Sequence, residues 1–154
     1  MTLSRGILFH GSPGTGKTLL GMAASKELKD VGATIIFVNG SELLDENIGA
    51  GANRVRELFS QAKSYTGYVM IFIEEIDVVG RTRDDNNERY ATLTQLLGEM
   101  DGFDQNGKIF ILATTNRYDD LDSALIRAGR FDRNVRIELP NAADRASIMK
   151  IHLR

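Results

Sequence analysis

Gly11-Ser12-Pro13-Gly14-Thr15-Gly16-Lys17-Thr18 sets a glycine-rich turn, a lysine and a hydroxyl at fixed spacing, directly after the apolar run Gly6-Ile7-Leu8-Phe9-His10. Glycines in such a turn let successive backbone N–H groups point inward around an anion. A helix starting near Gly16 adds the positive end of its dipole. In this arrangement Lys17 reaches the β- and γ-phosphates of a nucleoside triphosphate, and the Thr18 hydroxyl ligates Mg²⁺. The residues expected to hold the nucleotide are Ser12, Pro13, Gly14, Thr15, Gly16, Lys17, Thr18 and Leu19. A glycine-rich turn with a chance lysine would need neither the strand before it nor the helix after it.

A second set of groups follows the apolar run Val69-Met70-Ile71-Phe72-Ile73, which leads into Glu74-Glu75-Ile76-Asp77. Phosphoryl transfer to water needs a carboxylate near the metal and a group that orients or deprotonates the attacking water. Two adjacent acids at a strand end point in different directions and can divide that work. Glu74 is assigned to the metal's outer shell and Glu75 to the water, beside a P-loop expected at the neighbouring strand end. Asn116 ends another apolar run, where its amide is placed to touch the γ-phosphate or the water. Arg127 and Arg130 belong to a cluster of three arginines with Arg133. Such a cluster is either a solvated helix end or a finger that neutralises charge on a transferring phosphate.

These groups need a scaffold, and the chain supplies strict alternation. Residues 6–10, 34–39, 68–74, 108–115 and 134–139 are continuous apolar segments, the pattern of strands covered on both faces. Between them, residues 51–63 place Val55, Leu58, Phe59 and Ala62 on one helical stripe, and residues 88–100 do the same with Leu93, Leu96, Leu97 and Met100. Residues 17–28 are apolar over most of their length and are expected to be well buried. A last helix begins at Asn141 or Ala142. Five strands joined by helical crossovers predict a doubly wound, five-stranded parallel α/β sheet with helices on both faces, a P-loop NTPase fold. Ligands bind such sheets beyond the carboxyl ends of the strands, where every motif above falls. Residues 45–52 and 81–88 are expected to be flexible.

Composition excludes several alternatives. With 154 residues, 42% of them hydrophobic, the chain is read as one domain with a real core, cut from a longer protein. Nineteen Lys and Arg against 21 Asp and Glu leave a formal charge of -2, so no bulk basic field argues for nucleic acid. Cysteine is absent, which removes disulfides and thiolate metal sites and is compatible with a reducing compartment. The longest apolar stretch, residues 68–73, is far short of the ~20 residues that span a bilayer. No signal peptide is visible. An intracellular, soluble domain is expected, with membrane tethering of the parent protein left open.

Over nearly its whole length, from Arg5 to about Leu153, the chain resembles the AAA family of AAA+ ATPases, and within it the membrane-anchored metalloproteases and proteasomal regulatory ATPases. Residues 11–18 are similar to its Walker A motif, with Ser12 where proline is usual. Ile71-Phe72-Ile73-Glu74-Glu75-Ile76-Asp77 resembles Walker B, Ala113-Thr114-Thr115-Asn116-Arg117 sensor 1, and residues 121–133 the second region of homology. Met100-Asp101-Gly102-Phe103 resembles the intersubunit signalling motif. The resemblance implies ATP and Mg²⁺ as cofactors and a hexameric ring, of like or unlike AAA subunits, that moves a polypeptide substrate. It further implies that Arg127 and Arg130 act on ATP held by the next subunit. The helical lid that follows this large subdomain in the family is expected after Arg154.

Two departures qualify the resemblance. Glu74 stands where the family has Asp, and Asn47 stands where its substrate-gripping pore loop has an aromatic, although Ile48 and Gly49 match. One extra methylene displaces a carboxylate enough to matter in positioned catalysis. The leading expectation is an ATPase; the competing one is a catalytically weakened subunit that holds nucleotide structurally. With only His10 and His152, the chain cannot form a zinc protease centre of the His-Glu-x-x-His type.

Overall fold

The computed structural model describes residues 4–82, 86–102 and 107–153. Strands and helices alternate through them: β1 (Gly6–His10), α1 (Lys17–Asp30), β2 (Thr34–Asn39), α2 (Ala50–Ser64), β3 (Val69–Glu74), α3 (Asp77–Gly80), α4 (Asn87–Asp101), β4 (Ile109–Thr115), β5 (Arg133–Arg136) and α5 (Ala142–His152). The strands form one sheet in the order β2-β3-β4-β1-β5, and every pairing is parallel. This is the doubly wound P-loop architecture that the alternation predicts. β4 lies between β1 and β3, however, so the strand carrying Glu74 and Glu75 is not the immediate neighbour of the P-loop strand.

Side-chain alternation explains why β3 is apolar without a break. Val69, Ile71 and Ile73 join the large core formed with α2, α3 and α4, where Val55, Phe59, Leu96 and Leu125 are fully buried. Met70 and Phe72 point to the opposite face and pack with Leu112. The helix stripes read from residues 51–63 and 88–100 are the faces that α2 and α4 turn to this core.

Two expectations about burial are corrected. Only Lys17 and Gly21 of α1 are buried, and Leu19 and Met22 are 72% and 56% exposed. The reason is geometric. α1 approaches the sheet through its small residues at Gly21, whose added Cβ would strike the Phe72 ring, so the bulky residues face outward. α1 also leaves an apolar hollow of about 270 Å³ on its side of the sheet, bordered by Ile7, Phe9, Leu28, Met70, Phe110 and Leu112. The fifth strand is the second correction: it covers 133–136 rather than 134–139 and is exposed throughout. It is an edge strand, and α5 buries no residue against it. The intended flexible stretch 81–88 includes 83–85, and the signalling motif includes Phe103; both lie outside the described residues. Among the described residues no helix is long and apolar enough to cross a membrane.

Truncating the α2 side of the core and the surface of α1 should therefore have opposite consequences. Phe59→Ala is expected to cost about 3–5 kcal/mol of unfolding free energy in urea. Met22→Ala is expected to stay within about 0.5 kcal/mol. A large loss from Met22→Ala in this chain would contradict the outward placement of α1.

Candidate functional site

Beyond the carboxyl end of β1, the loop of residues 11–16 turns tightly into α1. Gly16 is the N-cap of the helix at φ +91°, a left-handed conformation that favours glycine, and it provides no side-chain cap. No acid occupies the first turn, so the leading amides of α1 and its dipole remain available to an anion. Lys17, the first residue of the helix, is 6% exposed. Its Nζ donates to the Gly11 carbonyl at 2.9 Å, the Ser12 carbonyl at 2.7 Å and the Thr15 hydroxyl at 3.2 Å. All three acceptors are neutral, and burial lowers the Lys17 pKa. A buried ammonium held by neutral oxygens is an electrostatic invitation to an anion.

A cleft of about 380 Å³ opens over this loop, lined by Gly14, Gly16, Lys17, Thr18, Leu19 and Asn116. Asn116 follows the last residue of β4, so the sheet itself delivers it to the P-loop, since β4 is the hydrogen-bonded neighbour of β1. Thr18 donates its hydroxyl proton to Glu74 Oε1. This contact spans the intervening strand because Glu74 has the same parity as Met70 and Phe72 and so faces α1. The oxygens of Thr18 and Glu74 are the hard donors that Mg²⁺ accepts. Among the described residues no group of three or more His, Cys, Asp or Glu side chains could hold a metal. The protein's share of such a shell is therefore small, as expected where phosphate and water oxygens supply the rest.

Glu75 leaves the strand differently. It is the one residue other than glycine with positive φ among those described, at +55°, and its side chain is exposed. Its amide donates to the Thr114 hydroxyl at 3.3 Å, and the Ile76 amide to the Thr114 carbonyl at 3.0 Å. On the other side, a Cβ at position 40 would lie 2.3 Å from the Glu75 carbonyl oxygen, so only glycine fits there. Strain held in place by neighbours on both sides is a feature of functional positions. Glu75 is not among the residues lining the cleft. Sequence reasoning gave no role to the buried pair beneath it, in which the Thr115 hydroxyl donates to Asp77 Oδ1 at 2.7 Å and accepts from the Arg117 amide at 2.9 Å. Alternation in an apolar run carries no signal of such a polar tie between β4 and α3.

Arg127 and Arg130 are not among the residues lining this cleft. Arg130 donates from Nε and Nη2 to the two Asp101 carboxylate oxygens at 2.9 and 2.8 Å, and from Nη1 to the Ala124 carbonyl at 2.7 Å. The Arg130 hydrogen bond holds the Asp101 carboxyl below the usual carboxylate range. Arg127 is exposed.

The end of β1 is braced against the loop after β4. His10 stacks on Tyr118 with ring centroids 4.1 Å apart. Burial foremost, then the Arg136 charge and also Lys17, lowers the His10 pKa below 6.5, against Asp119 and Glu138, which raise it.

The profile of the ATPase family associated with various cellular activities (AAA) matches residues 7–139. The chain is 49% identical over 154 residues to ATP-dependent zinc metalloprotease FtsH 2 of Thermoanaerobacter sp. (strain X514), covering 99% of this chain and 29% of that protein. It is 48% identical over 157 residues to an ATP-dependent zinc metalloprotease FtsH of Synechococcus sp. (strain JA-2-3B'a(2-13)), covering 99% and 24%. To a proteasome-activating nucleotidase of Methanocella arvoryzae (strain DSM 22066 / NBRC 105507 / MRE50) it is 50% identical over 155 residues, covering 97% and 36%. The chain thus spans from about a quarter to a little over a third of the length of these curated relatives.

The lowered His10 pKa has a definite sign. As pH falls through 6.5 the unfolded chain takes up this proton before the folded one, so stability declines from there down to the folded-state pKa. His10→Phe keeps a ring on Tyr118 and removes the titration. The loss of urea-measured stability between about pH 7 and pH 5 should be smaller in the variant. Equal losses in the two proteins would discount His10.

Proposed function

Because the chain belongs to the AAA family of ATPases, an ATPase domain working with ATP and Mg²⁺, we propose that it binds and hydrolyses ATP in the cleft above residues 11–18, as one subunit of a hexameric ring, of like or unlike AAA subunits, that moves polypeptide substrates. The observation that carries this reading is Lys17: buried, its acceptors all neutral, at an uncapped helix N-terminus. Ser12, Pro13, Gly14, Thr15, Gly16, Lys17, Thr18 and Leu19 hold the nucleotide. Thr18 and Glu74 are the metal's protein ligands, directly or through water. When bound, Mg²⁺ neutralises charge on the β- and γ-phosphate oxygens.

In the reaction a water oxygen bonds to the γ-phosphorus as the bond to the bridging oxygen breaks, giving ADP and inorganic phosphate. Glu75 accepts the water's proton, and Asn116 orients the water or the γ-phosphate. Lys17 stays on the phosphate tail and meets the charge that moves toward the leaving group. Arg127 and Arg130 act on the neighbouring subunit's nucleotide. The position of Arg130 supports action between chains, because in its own chain it is engaged by Asp101 and the Ala124 carbonyl. Asp101 is 56% exposed in that pair, so the pair is worth about 1 kcal/mol or less and an incoming phosphate can compete for Arg130.

A second reading, a weakened subunit holding nucleotide structurally, draws on Glu74 in place of the family's Asp. One set of assays on the full-length assembled protein tests both. Glu75→Gln is expected to lower the rate of phosphate release by roughly 10²–10⁴-fold while ATP affinity stays within a few fold. Lys17→Ala should weaken binding itself. Hydrolysis that survives Glu75→Gln would remove Glu75 from its role, and a large gain in rate from Glu74→Asp would favour the second reading.

A further inference from the structure

The loop of residues 46–48 is exposed at its tip and fixed at both feet. Ile48 is 91% exposed. At the leading foot, Asp45 accepts from the Asn47 amide at 3.0 Å and its side chain at 3.1 Å, and pairs with Arg54 at 2.6 Å. Arg54 also donates to the Glu42 and Leu44 carbonyls at 2.8 and 2.9 Å. At the trailing foot the Ala50 amide donates to the Asn47 carbonyl at 3.2 Å, and no carboxylate close in sequence serves it. Gly49, the N-cap of α2, supplies no side-chain cap, and the first turn of α2 holds no acid.

That cap comes from another helix. Glu88, in the first turn of α4, accepts from the Gly49 amide through Oε2 at 2.7 Å and from the Gly51 amide through Oε1 at 2.9 Å. One carboxylate thereby takes two leading amides of α2 and sits at the positive end of its dipole. The fully buried Thr92 hydroxyl donates to the Glu88 carbonyl at 2.9 Å, which fixes the turn that projects the carboxylate. Gly51 shows how close the contact is: a Cβ there would fall 2.3 Å from Thr92 Oγ1, 2.5 Å from the Leu43 carbonyl oxygen and 2.8 Å from Glu88 Oε1.

We infer that Glu88 is a positioning residue for polypeptide engagement, because its carboxylate clamps Gly49 and Gly51 and so fixes where Ile48 is presented. The inference rests on the proposed function and on the resemblance of Asn47, Ile48 and Gly49 to the family's substrate-gripping loop. The hydrogen bonds of Glu88 described above go to Gly49, Gly51 and Thr92, none of them assigned to nucleotide or metal, so basal ATP hydrolysis is expected to be independent of it. Gln at this position keeps the volume but brings a donor against one of the two amides, and one bond is lost.

The test uses the full-length assembled protein, with carboxymethylated casein as the unfolded polypeptide. The KM for casein is read from its stimulation of ATP hydrolysis, beside the basal kcat. Glu88→Gln is expected to raise the KM for casein roughly tenfold with basal kcat within about twofold. Amide hydrogen exchange at Gly49 and Gly51 should quicken alongside, and Glu88→Asp, which keeps the charge on a shorter arm, should recover part of the loss. If Ile48→Ala raises the KM and Glu88→Gln does not, the clamp is not a positioning device. If Glu88→Gln lowers basal kcat in proportion and also lowers the melting temperature, its role is merely structural and the inference fails. If Ile48→Ala leaves the KM unchanged, the reading of the loop fails first and takes the inference with it.

Discussion

Lys17 sits under the loop of residues 11–16 with its charge unmatched, and much of the site can be derived from that. Lys17 is 6% exposed, and two carbonyls and a hydroxyl return only part of the hydration that burial takes from its ammonium. Burial accordingly lowers its pKa, the mark of a charged form that the fold tolerates at a cost. Glu74, the acid that β3 brings to this end of the sheet, is engaged by Thr18. A polyanion repairs the deficit, since its oxygens can take the Lys17 donors and the leading amides of α1 together. The fold is built to hold that cation in place, with β1 paired on both sides and α1 pressed closely onto Phe72.

The order of the strands governs how the remaining groups arrive. β4 is inserted between β1 and β3, which gives Asn116 a direct route to the cleft and puts Glu74 one strand further away. Parity solves the distance: residues 70, 72 and 74 share the α1 face, so the last side chain of β3 points at Thr18. The longer arm of glutamate suits that span. The same strand end must also release Glu75 in another direction, and it does so by a left-handed step at φ +55°, accommodated by Gly40 on one side and Thr114 on the other. Two adjacent acids thus acquire different environments from one backbone irregularity.

Much of this was legible in the sequence, for physical reasons. The P-loop glycines and the strand–helix alternation are local signals, and local signals survive without knowledge of the fold. Apolar runs such as 69–73 showed that β3 is covered on both faces, and the structure divides them between two cores by parity. Apolarity did not predict burial for α1, because Leu19 and Met22 are turned outward by a helix that approaches through Gly21. It misplaced β5 for a related reason: Leu139 lies beyond an edge strand with nothing packed over it, and is 67% exposed. The long-range polar contacts were invisible. Glu88 at a helix start reads as an ordinary acid favouring the dipole of its own helix, and only the fold shows that its carboxylate serves a helix 37 residues earlier.

The two arginines bear on what one chain can do by itself. Among the described residues the cleft lining contains a single cation, Lys17, while a triphosphate brings several negative charges. Arg130, one of the three arginines of residues 121–133, is held in a two-point contact by Asp101 and by a further bond to the Ala124 carbonyl. That contact fixes the guanidinium's orientation while leaving Asp101 largely in water, so it organises the group without trapping it. An arginine prepared in this way, and not among the residues lining its own chain's cleft, suits the proposed role on a phosphate that another chain presents. In the proposed reading the residues that bind phosphate and the arginines that neutralise its charge belong to different subunits, and a repeated arrangement of chains would bring the two together around one nucleotide.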